Sequence, residues 1–305
     1  MKGAEQYLII SVVGSTNMDL VYRVPHIVKA GETLHSTQHE LFFGGKGANQ
    51  AVTAGQLGAS VFFIGNVGVD DYGAKVKQNL IDKGVNTEGV QEKGITGQAI
   101  IQVTDSGENA IVLFPGSNFL VTPEQIQQSK GRIESSTVLL LQLEIPMTVV
   151  QSAVDIASQK EALIILNPAP AQELPETLLS KVSILTPNET ELEILTGLKI
   201  ESEEDLHRAC TILLEKGVGA VVVTLGEKGS YYMNKNEYGR VCANDVKVID
   251  TTGAGDAFNG ALAVGYCQGY SLRESILYAS KVAGFVATQM GAQPTIPSSF
   301  RVEKQ

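Results

Sequence analysis

The sequence predicts an α/β fold, a mainly parallel sheet with helices on both faces and a small β appendage beside it. Three observations carry this. Apolar, β-branched runs alternate with segments of helical length, as parallel strands joined by crossover helices require. Those runs are continuous rather than alternating in polarity, so the strands are covered on both sides. Two stretches instead set strand directly after strand, with no helix between them.

The first strand is read over Leu8 to Val13. Met18 to Val24 and Leu34 to Phe43 follow as strands that no helix separates. A turn at Gly44-Gly45-Lys46-Gly47 then opens a helix of small residues through Leu57, and Ser60 to Ile64 forms the next strand. Gln98 to Thr104 and Ala110 to Phe114 flank Asp105-Ser106-Gly107-Glu108, a hairpin signal. These four extra strands are placed together as the appendage, which would cover a substrate or pair with its copy in a dimer; an ordinary edge hairpin is the alternative. The alternation resumes with strand Val138 to Leu143, helix Thr148 to Gln159, strands Leu163 to Leu166 and Ser183 to Leu185, and helix Glu189 to Leu195. Helix Glu203 to Lys216, strand Ala220 to Thr224 and two long helices after Gly255 complete it.

At 305 residues the chain can bury a large core, and no repeat or low-complexity linker divides it. One domain over 1–305 is expected, with lid strands inserted at about 18–43 and 98–114. Apolar residues at 43% and charged residues at 18% exclude a disordered chain. A formal charge of −10, with no clustered Lys and Arg to offset it, argues against a nucleic-acid partner. Cys210, Cys242 and Cys267 form no C-x-x-C pair and read as buried, reduced thiols. The short run Tyr7 to Val13 suits a buried strand better than a signal peptide, and no segment approaches the roughly 20 apolar residues of a membrane helix. A cytoplasmic protein without a membrane partner is expected.

The most informative segment is Val248-Ile249-Asp250-Thr251-Thr252-Gly253-Ala254-Gly255-Asp256. A strand runs into a turn of small residues, and a helix starts at once. Gly253, Ala254 and Gly255 allow a ligand close to main-chain N–H groups, and the helix dipole adds partial positive charge there. Such a cradle suits a phosphoryl group in transfer, whose charge spreads over its equatorial oxygens. Asp256, next in sequence, could take the proton of an attacking hydroxyl. The plainer alternative is an Asp that merely complements the helix dipole.

Other signatures fail. Gly45-Lys46 is followed by Gly47, so there is no G-x-x-x-x-G-K-[ST]; neither G-x-G-x-x-G nor G-x-S-x-G occurs. His35 and His39 lack a third ligand and read as a solvated strand.

Gly44-Gly45-Lys46-Gly47-Ala48-Asn49-Gln50-Ala51 and Asp250-Thr251-Thr252-Gly253-Ala254-Gly255-Asp256 resemble the ribokinase-like family of carbohydrate kinases. Gly14-Ser15-Thr16-Asn17-Met18-Asp19, Gln142-Leu143-Glu144, Asn167-Pro168-Ala169-Pro170-Ala171, Thr186-Pro187-Asn188-Glu189-Thr190-Glu191, Thr224-Leu225-Gly226-Glu227-Lys228-Gly229 and Gly291-Ala292-Gln293-Pro294 match in family order, over nearly the whole chain. The resemblance implies a three-layer α/β/α sandwich with a mainly parallel central sheet and a β-sheet lid. It implies transfer of a phosphoryl group from ATP to a sugar, and the Gly-Gly-Lys-Gly-Ala-Asn-Gln segment narrows the sugar to ribose, phosphorylated at its 5-hydroxyl.

The resemblance also assigns residues. Asp256 would be the general base, with Gly253, Ala254 and Gly255 as the anion hole. Asn17, Asp19, Gly45, Lys46, Asn49 and Glu144 would line the sugar, a donor and acceptor set suited to a polyol. Asn188, Thr224, Gly226, Gly229, Gly255 and Ser280 would meet ATP, and Glu191 would act on Mg²⁺ through water. Asp250, Thr252, Val286, Gln289, Gly291 and Thr295 would hold a monovalent cation such as K⁺, mostly by carbonyls. A homodimer through the lid strands is implied as well. Three other readings stand beside this one: a kinase of another small sugar such as deoxyribose, a silent sugar-binding protein on the same scaffold, and a nicotinamide-dependent dehydrogenase. The base and the cradle glycines weigh against the second, and the missing glycine fingerprint against the third.

Overall fold

In the computed structural model, residues 9–301 are described. Most of the first expected strand is there, as β1 (Ile9–Val13); Leu8 lies outside the described residues. β2 (Asn17–Val24), β3 (Gln38–Gly44), α1 (Lys46–Gln56), β4 (Ser60–Val67), α2 (Asp71–Asp82) and β5 (Val85–Glu92) follow. Next come β6 (Gly97–Thr104), β7 (Asn109–Phe114), the short helices α3 (Pro123–Gln128) and α4 (Lys130–Glu134), β8 (Val138–Leu141) and α5 (Met147–Ala157). β9 (Leu163–Leu166), α6 (Glu176–Leu179), β10 (Ile184–Leu185), α7 (Glu189–Thr196), α8 (Glu203–Glu215) and β11 (Ala220–Thr224) continue the alternation. β12 (Ser230–Asn234), β13 (Tyr238–Val241), α9 (Ala254–Cys267) and α10 (Leu272–Ala287) end it.

The main sheet has the order β13-β12-β11-β10-β9-β8-β1-β4-β5. It is parallel from β11 to β5, and β12 and β13 add an antiparallel edge that the sequence reading did not foresee. Alternate residues of β8 divide the core. Val138 and Leu140 join the cluster under α1, α9 and α10, while Leu139 and Leu141 join the one under α5 and α8. That division is what makes the body a three-layer sandwich, and it needs the unbroken apolar run seen in the sequence.

The four extra strands form a sheet of their own, β3-β2-β6-β7, as expected of a lid. Only Gly14, Ser15 and Thr16 separate β1 from β2, so the chain passes directly from one sheet to the other. At this root Asn17 is flanked in register by Gly44 and Gly97.

Four expectations need correction. No strand runs into the turn at Gly253: Val248 and Ile249 are exposed and lie outside every strand, because the Ile249 N–H donates to the Ala287 carbonyl rather than to a neighbouring strand. The strand expected from Leu34 starts at Gln38, because Ser36 and Thr37 spend their hydroxyls, and Thr37 its N–H, on the Arg23 carbonyl. The strand expected through Leu143 ends at Leu141, because Leu143 N–H turns to the Ala169 carbonyl and Gln142 enters a polar network. Cys242 is exposed rather than buried, since it follows the last edge strand; Cys210 and Cys267 are buried. No helix among the described residues is long and apolar enough to cross a membrane.

Candidate active site

β1 sits between β8 and β4, so the chain moves to one side of it for β4 and β5 and returns to the other for β8. A crevice opens at the carboxyl ends of parallel strands where such a reversal occurs. Gly14 to Thr16 after β1, Gln142 to Glu144 after β8, the start of α1 and the start of α9 lie at that edge.

α9 begins at Gly253, whose φ of 75° is left-handed; a Cβ there would lie 2.6 Å from Ala292 Cα. Both facts exclude a side chain, so the turn presents main chain only. Asp256 follows in the first helical turn and is 7% exposed. Its Oδ2 accepts a hydrogen bond from Asn49 Nδ2 at 2.8 Å, and its Oδ1 one from Gln50 Nε2 at 3.0 Å.

Opposite lies the wall made by β2 and the start of α1. Gly45 has a φ of 89°, and a Cβ on it would sit 2.7 Å from the Asn17 nitrogen, so the wall can close up only with glycine there. Glu144 Oε2 accepts from Lys46 N–H at 3.0 Å and from the Ser15 hydroxyl, which fixes it at the mouth of α1. Asn17 Oδ1 accepts from Asn118 Nδ2 at 2.8 Å. Burial first, then Glu144 and Asp256, push the Asp19 carboxyl up to about 7. Burial opposes the charge on Lys46, yet Asp256, Glu144 and Glu191 hold its pKa above the usual value. Asp19, Lys46, Glu144, Asp256 and Glu191 therefore share one electrostatic neighbourhood.

A cavity of about 790 Å³ opens on the other side of the Gly253 turn. It brings together Thr224, Gly226, Gly229, Ala254, Gly255 and Ser280, all expected at the phosphate cradle or the nucleotide. Asn188 bridges in parallel to Thr224, and Thr224 N–H donates to the Pro187 carbonyl. Asn188 and Glu191 also form a capping box on α7, each side chain accepting from the other's N–H. Burial raises the Glu191 pKa, against that bond from Asn188 N–H and the charge of Lys46.

Beside the turn, Asp250 Oδ1 accepts from the Thr252 N–H and hydroxyl, and its Oδ2 from Gly291 N–H. Burial disfavours its charge, but these bonds prevail and hold its pKa below the usual carboxylate range. The end of α10 closes the group: the Ala287 carbonyl accepts from Asp250 N–H, and the Val286 carbonyl from Gln289 N–H. Thr295 is exposed, and its hydroxyl accepts from Lys83 Nζ at 3.3 Å.

The sequence reading missed residues whose work is to hold others. Gln142 Nε2 donates to Gln50 Oε1 at 2.6 Å, and Gln293 Nε2 to Asn49 Oδ1 at 2.8 Å. Asn118 holds Asn17, and the Thr186 hydroxyl donates to Asn259 Oδ1. Gln50 and Gln293 lay inside the quoted segments, but neither drew a role, since an uncharged amide gives no local sign of its partner. Asn244 and Val246, which line the 790 Å³ cavity, stand in a stretch with no motif.

Residues 9–299 match the pfkB family carbohydrate kinase profile. A ribokinase of Haemophilus influenzae is 40% identical over 291 residues, covering 95% of both chains. A deoxyribokinase of Salmonella typhi is 36% identical over 292 residues, again 95% of both. The structure of an Arabidopsis thaliana ribokinase complexed with ribose and ATP superimposes with a TM-score of 0.88 at 31% identity, covering 95% of this chain and 96% of that one. With the sandwich, the separate four-stranded sheet and the cleft where they meet, these likenesses show that the chain belongs to the pfkB family of carbohydrate kinases and is a phosphotransferase of the ribokinase type.

Proposed function

We propose that this protein transfers the terminal phosphoryl group of ATP to the 5-hydroxyl of D-ribose, giving ribose 5-phosphate and ADP. One observation carries the reading. The buried Asp256 follows directly on the Gly253 turn, between the Asn17–Lys46–Glu144 wall and the 790 Å³ cavity. A carboxylate at that junction can reach a hydroxyl from one side and face a phosphoryl group on the other.

In this reading Asp19, Asn17, Lys46, Asn49 and Glu144 bind the sugar, with Gly45 letting the main chain approach it. Glu144 Oε1 and the Asp19 carboxyl supply acceptors for hydroxyls. Asp256 takes the proton of the 5-hydroxyl as its oxygen attacks phosphorus, and ADP departs with the electrons of the broken P–O bond. The N–H groups of Gly253 and Gly255 would hold the equatorial oxygens of the phosphoryl group in transit, joined by that of Ala254 once it leaves the Thr251 carbonyl, to which it donates at 3.1 Å. Asn188, Thr224, Gly226, Gly229 and Ser280 line ATP.

The donor set around Asp250 suits a monovalent cation; for Mg²⁺ the chain would offer Glu191, since no cluster of three or more His, Cys, Asp or Glu that could hold a metal occurs among the described residues. Asp250, kept ionised by Thr252 and Gly291, together with carbonyls of Thr252, Val286, Gln289 and Gly291, would hold K⁺, with Thr295 at the margin. Glu191 would act on Mg²⁺ through water, and Mg²⁺ would offset charge on the phosphates. A homodimer through the lid fits the exposed apolar side chains of Ile111, Val112, Leu113 and Phe114 on β7.

The test is an ADP-release assay across a sugar panel, with and without K⁺. Ribose is expected to give the highest kcat/KM. The Salmonella relative favours deoxyribose as the second reading, and a higher kcat/KM for deoxyribose would replace ribose by it. No turnover with any pentose would end both.

A further inference from the structure

The Asp256 carboxylate can only accept hydrogen bonds when it is ionised. That fact sets the direction of every amide behind it. Asn49 must turn its Nδ2 to Asp256 Oδ2, at 2.8 Å, so its Oδ1 faces away. The group facing that oxygen must donate, and Gln293 Nε2 does so at 2.8 Å. Gln293 Oε1 then needs a donor, and Asn79 Nδ2 supplies it at 2.7 Å. Three amides thus run head to tail from α2 to the base, each polarising the next.

The second oxygen ends a similar run. Gln142 donates to Gln50 Oε1, and Gln50 donates to Asp256 Oδ1 at 3.0 Å. Here the order leaves a cost at the far end: Gln142 Oε1 is buried with no hydrogen-bond partner among the described residues. An orphaned acceptor at that end is what results when the carboxylate, rather than the outer partner, dictates the direction.

We propose that Gln293 is a positioning residue for phosphoryl transfer, acting through Asn49 to hold the plane and the donor count of the Asp256 carboxylate. The inference rests on Asp256 as the base. Gln293 does not itself touch Asp256 in the bonds described; Asn49 stands between them. Its neighbours in sequence reach the rest of the machinery, since Gly291 N–H binds Asp250 and Ala292 packs on Gly253. The segment 291–293 therefore ties the Asp250 turn, the Gly253 turn and the base together.

The direction of the run gives an unusual test. Gln293→Glu keeps shape and volume but removes the donor. Asn49 must then turn its amide towards the introduced carboxylate and bring Oδ1 against Asp256, acceptor against acceptor. Gln293→Leu also removes the donor but leaves Asn49 free to keep its Nδ2 on Asp256. The near-isosteric change is therefore expected to be the worse one, about tenfold in kcat against about threefold for Leu, each with a smaller change in KM. The acid limb of the kcat profile should move to higher pH in Gln293→Glu, because the carboxylate loses a bond that favours its charged form. Asp19, Lys46 and Glu191, which act on Asp256 through space, are unchanged in both variants.

Asn79→Asp, on the half-buried side of α2, repeats the test from the far end. It should turn both remaining amides, Gln293 and Asn49, and lower kcat by about threefold, even if Gln293→Glu fails to fold. Asp256→Ala is run in the same assay. Loss of turnover there with unchanged Gln293→Glu and Asn79→Asp kinetics would overturn the proposal and leave the base in place. Equal impairment in the Glu and Leu variants, with an unmoved acid limb, would reduce Gln293 to packing. Normal turnover in Asp256→Ala would instead remove the base itself.

Discussion

The two ends of the cleft are made of different material. At the proposed sugar end, side chains do the holding: Asp256, Asn49, Glu144 and Asn17 are each locked by named partners, and most are buried. At the proposed nucleotide end small residues predominate, with Gly226, Gly229, Ala254 and Gly255 around an open cavity that Glu227, Asn244, Asp245 and Phe258 also line. A side-chain network discriminates among hydroxyl patterns, because a missing partner leaves a buried polar group unpaired. A main-chain cradle binds any ligand that carries phosphates in the right place. On the proposed reading, sugar choice and phosphate binding can vary independently, and substitutions at the two ends should fail in different ways.

The largest effect is expected where the ends meet. Asp256→Ala should lower kcat by about 10²–10⁴ while leaving the KM for sugar within a few-fold, measured by steady-state ADP release. Near-normal turnover would cut the link between the two ends.

Next is the main-chain end. Gly253→Ala forces a Cβ into the left-handed region and against Ala292. Turnover should fall by about 10- to 100-fold with sugar binding, followed by calorimetry, preserved. A matching loss of sugar affinity would show that the ends are not separable.

The sugar end can be separated by pH. The Asp19 pKa, raised to about 7 by burial and then by Glu144 and Asp256, lies above its unfolded value. The native state therefore binds the proton more readily, so this contribution is full below about 4 and lost as pH rises through about 7. Asp19→Asn should raise the Tm of the sugar-free protein at pH 8, with the gain shrinking as pH falls towards 4. Its KM for sugar should rise about tenfold through loss of a charged acceptor. A Tm difference that does not vary with pH would contradict the raised pKa.

The smallest effect belongs to the open cavity. Ser280→Ala should change the KM for ATP by no more than about threefold, since the cavity there offers area more than bonds. A tenfold rise would make that end side-chain-specific too.

This contrast also explains what could be read in the sequence. The glycine cradle and Asp256 stood out because turns and helix starts leave local marks, and β8, β9 and β11 because buried strands need unbroken apolar runs. β12 and β13 did not, since an antiparallel edge with an exposed side mixes polar and apolar residues. α2 was passed over although Asp70 caps it by accepting from Gly73 N–H, a cue hidden beside the second acid, Asp71. Asn118, Gln142 and Gln293 were unreadable for another reason. Each is defined by the partner it meets across the fold, and a neutral amide carries no local sign of that partner.

The bonds that shape the sugar end are also remote along the chain. Lys46 N–H and Glu144 are 98 positions apart, Asn118 and Asn17 are 101 apart, and Asn49 and Asp256 are 207 apart. Such separations slow folding, because loops must close before the contacts that reward closure can form. During synthesis from the N-terminus, the wall built by β2 and α1 emerges long before α9 brings the carboxylate it faces. On the proposed reading, a ribosome-bound fragment ending short of α9 has half a binding site, and carbohydrate can stabilise the polypeptide only after α9 has emerged.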